Sequence, residues 1–248
     1  LTGYLTLPSR RGSEPAPVVV RFSNGLWVRA LAGFQAETRA LAEMGVAVLE
    51  VNHRGIPGRG LEYWQAARGR PDEVAAEDVI AALDEHAKRG AIDPKRVAVI
   101  GWQFGGYLAL RTLQLRPERF ACGVVAEAPT DLDTWLNSSK RWTNPETRFR
   151  QATEEWFFGG DKEQLKKHSP LFHPGPIGRP ALLMGDFARQ TSMPTRFDEM
   201  RRKMLADADP IEHNAAGELL SLNVETGNYL AYESIRAFLD KHLGSKPR

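Results

Sequence analysis

Three scarcities bound what this chain of 248 residues can be. It has one cysteine, Cys122, which excludes an internal disulfide and any cysteine-based zinc site. It has no apolar run near the roughly 18 consecutive residues that a membrane-spanning helix needs. It has almost no net charge, +2 from 33 basic and 31 acidic residues, so neither a nucleic acid nor an anionic membrane is expected as a partner. The basic residues at the C-terminus (Lys241, Lys246, Arg248) read as a solvated tail. An initiating Met and a signal-like segment are also missing. Leu1 therefore reads as a domain cut, and the compartment stays open with the cytoplasm as the default expectation.

The bulk composition is that of a globular chain. With 42% hydrophobic and 26% charged residues it can bury a large core, which excludes a disordered chain or a fibre. Short runs rich in β-branched residues read as buried strands: Val18–Phe22, Val46–Val51, Val97–Gly101, Cys122–Ala126 and Ala181–Met184. Between them lie stretches with helical spacing. Gln35–Met44 sets Phe34, Leu41 and Met44 on one side and stops at Gly45. Asp72–Arg89 follows Pro71, carries Val79, Ile80, Leu83 and Ala87 on one stripe, and leaves Glu77 and Asp78 on the solvated side. Leu108–Leu115 and Tyr232–Leu243 repeat the pattern. Strand–helix alternation predicts an α/β fold, a mostly parallel sheet with helices on both faces. Leu1–Leu7 reads as an edge strand. Leu132–Pro174 is too long for a connection and predicts a helical excursion (132–174) over the top of the sheet. Leu205–Asn223 has no clean period, and no linker divides the chain.

The most informative motif is Gly101-Trp102-Gln103-Phe104-Gly105-Gly106-Tyr107, at the end of a buried strand and the start of a helix. G-x-S-x-G in that setting is the nucleophile elbow of α/β-hydrolases, a tight turn that lifts its central side chain above the sheet. Here the centre is Gln103, whose amide has no ionisable nucleophile. A glycine-rich strand–helix turn without chemistry is the competing reading.

The chain resembles the C-terminal catalytic domain of the prolyl oligopeptidase (S9) serine peptidases, above all the acylaminoacyl-peptidase-like members. The resemblance rests on motifs met in order along nearly all of the chain. Gly3-Tyr4-Leu5-Thr6-Leu7-Pro8 is similar to the opening strand, and Val51-Asn52-His53-Arg54-Gly55 to the V-N-x-R-G loop. Asp93-Pro94-Lys95-Arg96-Val97-Ala98 resembles the lead into the elbow. Phe120–Val124, Ser169-Pro170-Leu171 and Phe238–Leu243 continue the match. The resemblance implies one α/β-hydrolase domain over 1–248, with a β-propeller upstream of Leu1 against which it packs.

The same comparison marks what has changed. The family's catalytic serine falls at Gln103, its aspartate at Gln190 and its histidine at Leu220; no histidine occurs from Asn214 through Lys241. The family's H-G-G-P loop reads Ser23-Asn24-Gly25-Leu26, although Trp27 remains. A Ser-His-Asp system needs nucleophile, base and orienting acid together. With all three substituted, the expectation is a catalytically inactive pseudo-peptidase retained for binding, assembly or structural support. An active hydrolase using unconventional residues of the same cleft is the alternative, and a small-molecule binding module is a third.

Candidate cleft residues are Ser23, Asn24, Gly25, His53, Phe104, Trp142 and Trp156. Ser23 with His53 as base would be the unconventional nucleophile; a loop hydrogen-bonder is the plainer reading of His53. Trp142, Trp156, Phe157 and Phe158 read either as a pocket or as the core of the excursion. Cys122 reads as a small buried hydrophobe. His168 and His173, separated by Ser169-Pro170, lack a third ligand, so neither metal nor cofactor is expected. Asp131 and Asp186 lie near the strand ends and read as relics of substrate recognition. The expected partners are a peptide or small-molecule ligand, and an adjoining domain or a second copy.

Overall fold

The computed structural model describes residues 1–9, 14–25, 27–138, 145–173, 177, 179–184, 211–212 and 227–244. Gln190, Leu220, Trp142 and Asp186 lie outside the described residues, as does most of Leu205–Asn223. The elements run β1 (Thr2–Thr6), β2 (Ala16–Phe22), α1 (Ala36–Glu43), β3 (Ala47–Asn52), α2 (Leu61–Gln65), α3 (Pro71–Lys88), β4 (Ile92–Trp102) and α4 (Phe104–Leu115). They continue with β5 (Cys122–Ala126), α5 (Leu132–Ser138), α6 (Pro145–Phe158), α7 (Lys162–His168), β6 (Ala181–Met184), β7 (Ile211–Glu212) and α8 (Gly227–Leu243).

These strands form one sheet in the order β1-β3-β2-β4-β5-β6-β7. Only β1 is antiparallel, pairing with β3 at the edge, and every other ladder is parallel. Because the sheet is covered on both faces, alternate residues of each strand enter different cores. Val18, Val20, Val97, Val99, Val125 and Leu183 pack under α3 and α4. Val19, Ala98, Ile100, Cys122, Val124 and Leu182 pack with Leu41 of α1 and Ile235, Phe238 and Leu239 of α8. The chain moves from β2 outward to β3, then back across to β4. The sheet therefore changes direction between β2 and β4, the place where α/β sheets leave a crevice at their C-terminal ends.

The excursion is helical, through α5, α6 and α7. It is fastened to the body of the domain by buried charge. Asp72, fully buried in the first turn of α3, accepts from Arg111 Nε of α4 and bonds His168 Nδ1 of α7, each at 2.7 Å. Burial alone would raise the Asp72 carboxyl; His168 and Arg111 more than reverse this and hold it below the ordinary carboxylate range. His168 is thus an internal tie, while His173 is exposed.

Two expectations are corrected. Phe34 is 83% exposed and does not share a stripe with Leu41 and Met44. The helix begins at Ala36 with Gln35 as its cap, so the helical period does not set the direction of Phe34. Asp78 is buried, not solvated, because α3 faces the loop after β3 at this point. Its carboxylate accepts from the Arg54 backbone N–H at 2.7 Å and from Arg54 Nε at 3.0 Å. Glu77, half-buried, accepts from Arg54 at 3.0 Å.

Asp72→Ala leaves the Arg111 guanidinium buried without its counter-ion. Removing one member of such a pair is expected to lower the unfolding free energy by about 3 kcal/mol, read by urea denaturation. Asp72→Asn should cost less, since the amide still accepts a hydrogen bond.

Candidate functional site

The turn between β4 and α4 is built on three glycines that a side chain would not fit. A Cβ at Gly101 would collide with the Gly105 carbonyl. At Gly105 it would come within 2.5 Å of the Ser23 carbonyl oxygen, and at Gly106 within 2.6 Å of that of Ala126. The turn is thereby pressed between the loop after β2 and the end of β5. Gln103 N–H donates to the Ala126 carbonyl at 2.8 Å, and the Gln103 carbonyl accepts from Tyr107 N–H at 2.9 Å.

Held between these bonds, Gln103 takes φ 51° and ψ −120°. A non-glycine residue there stores on the order of 1–3 kcal/mol of strain. Its side chain is exposed and makes no hydrogen bond with the described residues. The elbow is complete in backbone geometry, and what it presents is a carboxamide. Glu127, after β5, is the other non-glycine residue with positive φ among the described residues (49°); its N–H donates to the Met184 carbonyl at 2.8 Å.

The remaining candidates separate. Ser23 and Gly25 are half-buried and Asn24 exposed, on the loop that crosses Gly105. His53 is buried, with Nδ1–H donating to the Arg54 carbonyl at 2.8 Å and its ring edge-on to Phe22. No hydrogen bond joins it to Ser23. Phe104 is buried among Tyr107, Trp135 and Phe158, so it supports the elbow from below instead of lining a cleft. Phe157 and Phe158 are core as well. Trp156 is half-buried, stacked on Trp64 with centroids 4.7 Å apart. Asp131 caps α5, accepting from Thr134 N–H at 3.2 Å and Thr134 Oγ1–H at 2.7 Å. Among the described residues no group of three or more His, Cys, Asp or Glu could hold a metal ion.

Three features went unread in the sequence. The Asp72–His168 tie joins residues 96 apart, and no local pattern encodes such a pair. The strain at Gln103 follows from the glycines around it and was legible only by analogy with the elbow motif. The arginines beside Trp64 and Trp156 were lost in an overall charge near zero.

Burial pushes the His53 imidazole below its ordinary value of 6.5, against smaller upward pulls from the Arg54 carbonyl and Asp78. The unfolded chain then takes up a proton that the folded chain refuses. Stability is full above pH 6.5 and falls as the pH drops through that value. Thermal melts between pH 8 and about 5 should show this loss, and His53→Gln should flatten it. Gln103→Gly relieves the positive φ and is expected to raise the unfolding free energy by about 1 kcal/mol.

Comparison with known proteins agrees with this geometry. The profile of the prolyl oligopeptidase family matches residues 32–184, more than half of the chain. Dipeptidyl aminopeptidase BIII of Pseudoxanthomonas mexicana is 30% identical over 233 residues, covering 86% of this chain and 32% of that protein. Acylamino-acid-releasing enzyme 2 of Oryza sativa subsp. japonica is 32% identical over 131 residues, covering 53% of this chain and 17% of that one. A puromycin-hydrolyzing peptidase of Mycobacterium tuberculosis superposes with a TM-score of 0.79 at 23% identity, over 99% of this chain and 38% of its own. An acylaminoacyl peptidase of Pyrococcus horikoshii does so with a TM-score of 0.74 at 19% identity, over 97% and 39%. At these identities the structural likeness is one of fold, the α/β-hydrolase fold. The chain spans a third or less of the length of the curated relatives it matches.

Proposed function

Since the chain belongs to the prolyl oligopeptidase family of peptidases, we propose that this domain is a non-hydrolysing member that holds a peptide-like ligand at the old elbow. The observation that carries the reading is Gln103: strained, exposed and unbonded among the described residues. Its nitrogen lone pair is delocalised into the carbonyl, so it cannot attack an ester or amide to form an acyl-enzyme. A carboxamide does offer one acceptor and two donor hydrogens, the complement of a peptide group. The first N–H groups of α4 lie beside it, where a bound carbonyl gains from the helix dipole. Nothing in this arrangement needs a base or an acid, which fits Gln190 and Leu220 at the family's other two catalytic positions.

The reading includes assembly. Leu31 and Phe34, exposed near the same end of the sheet, suit a contact with an adjoining domain or a second copy.

An active-site fluorophosphonate probe and a set of peptide and ester substrates test the reading. No specific labelling and no turnover are expected. Labelling that disappears in Ser23→Ala would overturn it in favour of an unconventional hydrolase. The triple variant Gln103→Ser, Gln190→Asp, Leu220→His should recover little activity, because the family's H-G-G-P loop is also replaced.

A further inference from the structure

A wall of arginine and tryptophan stands on the loops after β2 and β3, at the C-terminal end of the sheet that also carries Gln103. Trp64 of α2 and Trp156 of α6 stack at 4.7 Å with planes 19° apart, and Trp27 meets Trp64 edge-on at 6.3 Å. Arg68 lies over the Trp156 ring at 4.6 Å and donates from Nε to the Trp156 carbonyl at 3.2 Å. Arg59 lies over Tyr63 at 5.5 Å. Arg29 fills the space that Gly58 leaves; a Cβ there would collide with its guanidinium.

Among the described residues the charges of this wall are unbalanced. Arg54 and Arg70, on the same stretch of chain, are matched by Glu73, Glu77 and Asp78. Arg29, Arg59 and Arg68 have no carboxylate partner among the described residues, and Glu62 of α2 bonds none of them. Two further donors of the wall, Trp27 Nε1 and Arg29 Nε, meet no acceptor among the described residues. Every unmet group is a donor or a cation. Arginines laid on aromatic faces keep their planes fixed and their outer N–H groups directed away from the ring, an arrangement suited to carboxylates. The half-buried indoles offer flat apolar surface beside them.

From this we propose that the wall binds a peptide segment carrying several carboxylates with aromatic or apolar side chains between them. Its carboxylates meet Arg59 and Arg68, and its apolar side chains lie on Trp64 and Trp156. This rests on the reading that the domain holds peptide without cleaving it, and it names the class of peptide.

Fluorescence anisotropy of a labelled peptide alternating Glu and Phe, against its Gln-for-Glu counterpart, tests the inference on the full chain. The acidic peptide should bind at least tenfold more tightly, weaken steeply with added salt, and be recovered intact by mass spectrometry. Arg59→Ala with Arg68→Ala should lose tenfold or more, whereas Arg89→Ala, at the far end of α3, should leave binding unchanged. Arg68→Lys keeps the charge but not the planar fork and should fall between. Arg59 and Arg68 are exposed, and circular dichroism of the variants checks their folding. Equal affinity for both peptides, no binding of either, or indifference to the double variant would overturn the inference. If the peptide is bound without charge preference and stays intact, the wall fails and the non-hydrolysing reading stands. Charge-selective binding with cleavage has the opposite meaning.

Discussion

The structure depends on backbone passing against backbone where β4 turns into α4. Gly101, Gly105 and Gly106 are in contact with carbonyl groups of the turn itself, of the β2 loop and of β5. A single methyl group at any of the three would force these segments apart. α4 is the central helix of one face, burying Tyr107, Leu108, Leu110 and Leu113. Losing the close approach would open the core under it, and cavities of that kind are costly. The constraint fixes Gln103 at positive φ whatever side chain it carries.

Scaffold and chemistry are therefore separable here. The elbow is held by glycine contacts and by the bond from Gln103 N–H to Ala126, none of which involves a nucleophile. The ties that set the excursion over the sheet, Asp72 with Arg111 and His168, lie inside the domain and likewise do not involve Gln103. A residue other than serine can then occupy the centre of the elbow without disturbing the turn. In many enzymes strain at the reacting residue is read as part of the mechanism. Here the close packing of the flanking glycines is enough to account for it.

How much of this was legible depends on the range of the interaction. Cys122–Ala126 and Ala181–Met184 are strands with the bounds read from the sequence, because a buried parallel strand is a short local run of apolar and small residues. α4 begins at Phe104, four residues before the periodic stretch, since Gly105 and Gly106 are poor helix formers kept there by the contacts they permit. Asp78 looked solvated because the period of α3 cannot report that Arg54, 24 residues earlier, faces it. His168 stood beside His173 in the sequence as a pair. In space it belongs to Asp72 on another helix, and after Ser169 the chain enters a separate short turn at Pro170–Phe172 that leaves His173 exposed. At the candidate site, the turn could be read from its glycines, while the arginines that surround Trp64 and Trp156 could not.

That last difference bears on what kind of site this is. A catalytic centre concentrates its information in a few residues of unusual chemistry, which is why glutamine at the centre of an elbow motif is so visible in a sequence. A recognition surface distributes it over ordinary residues whose proximity is decided by the fold. Arg29, Arg59 and Arg68 are ordinary in sequence and become informative only when the two loops after β2 and β3 and the end of α6 converge. Their charge is balanced over the molecule as a whole and unmatched among the described residues around them. Local imbalance is what an ion of opposite sign responds to, because salt at about 0.1 M confines the reach of a charge to about 10 Å. The elbow presents a carboxamide, and a cationic wall unmatched among the described residues stands at the same end of the sheet. That combination is what the proposed role, holding a peptide without cleaving it, calls for.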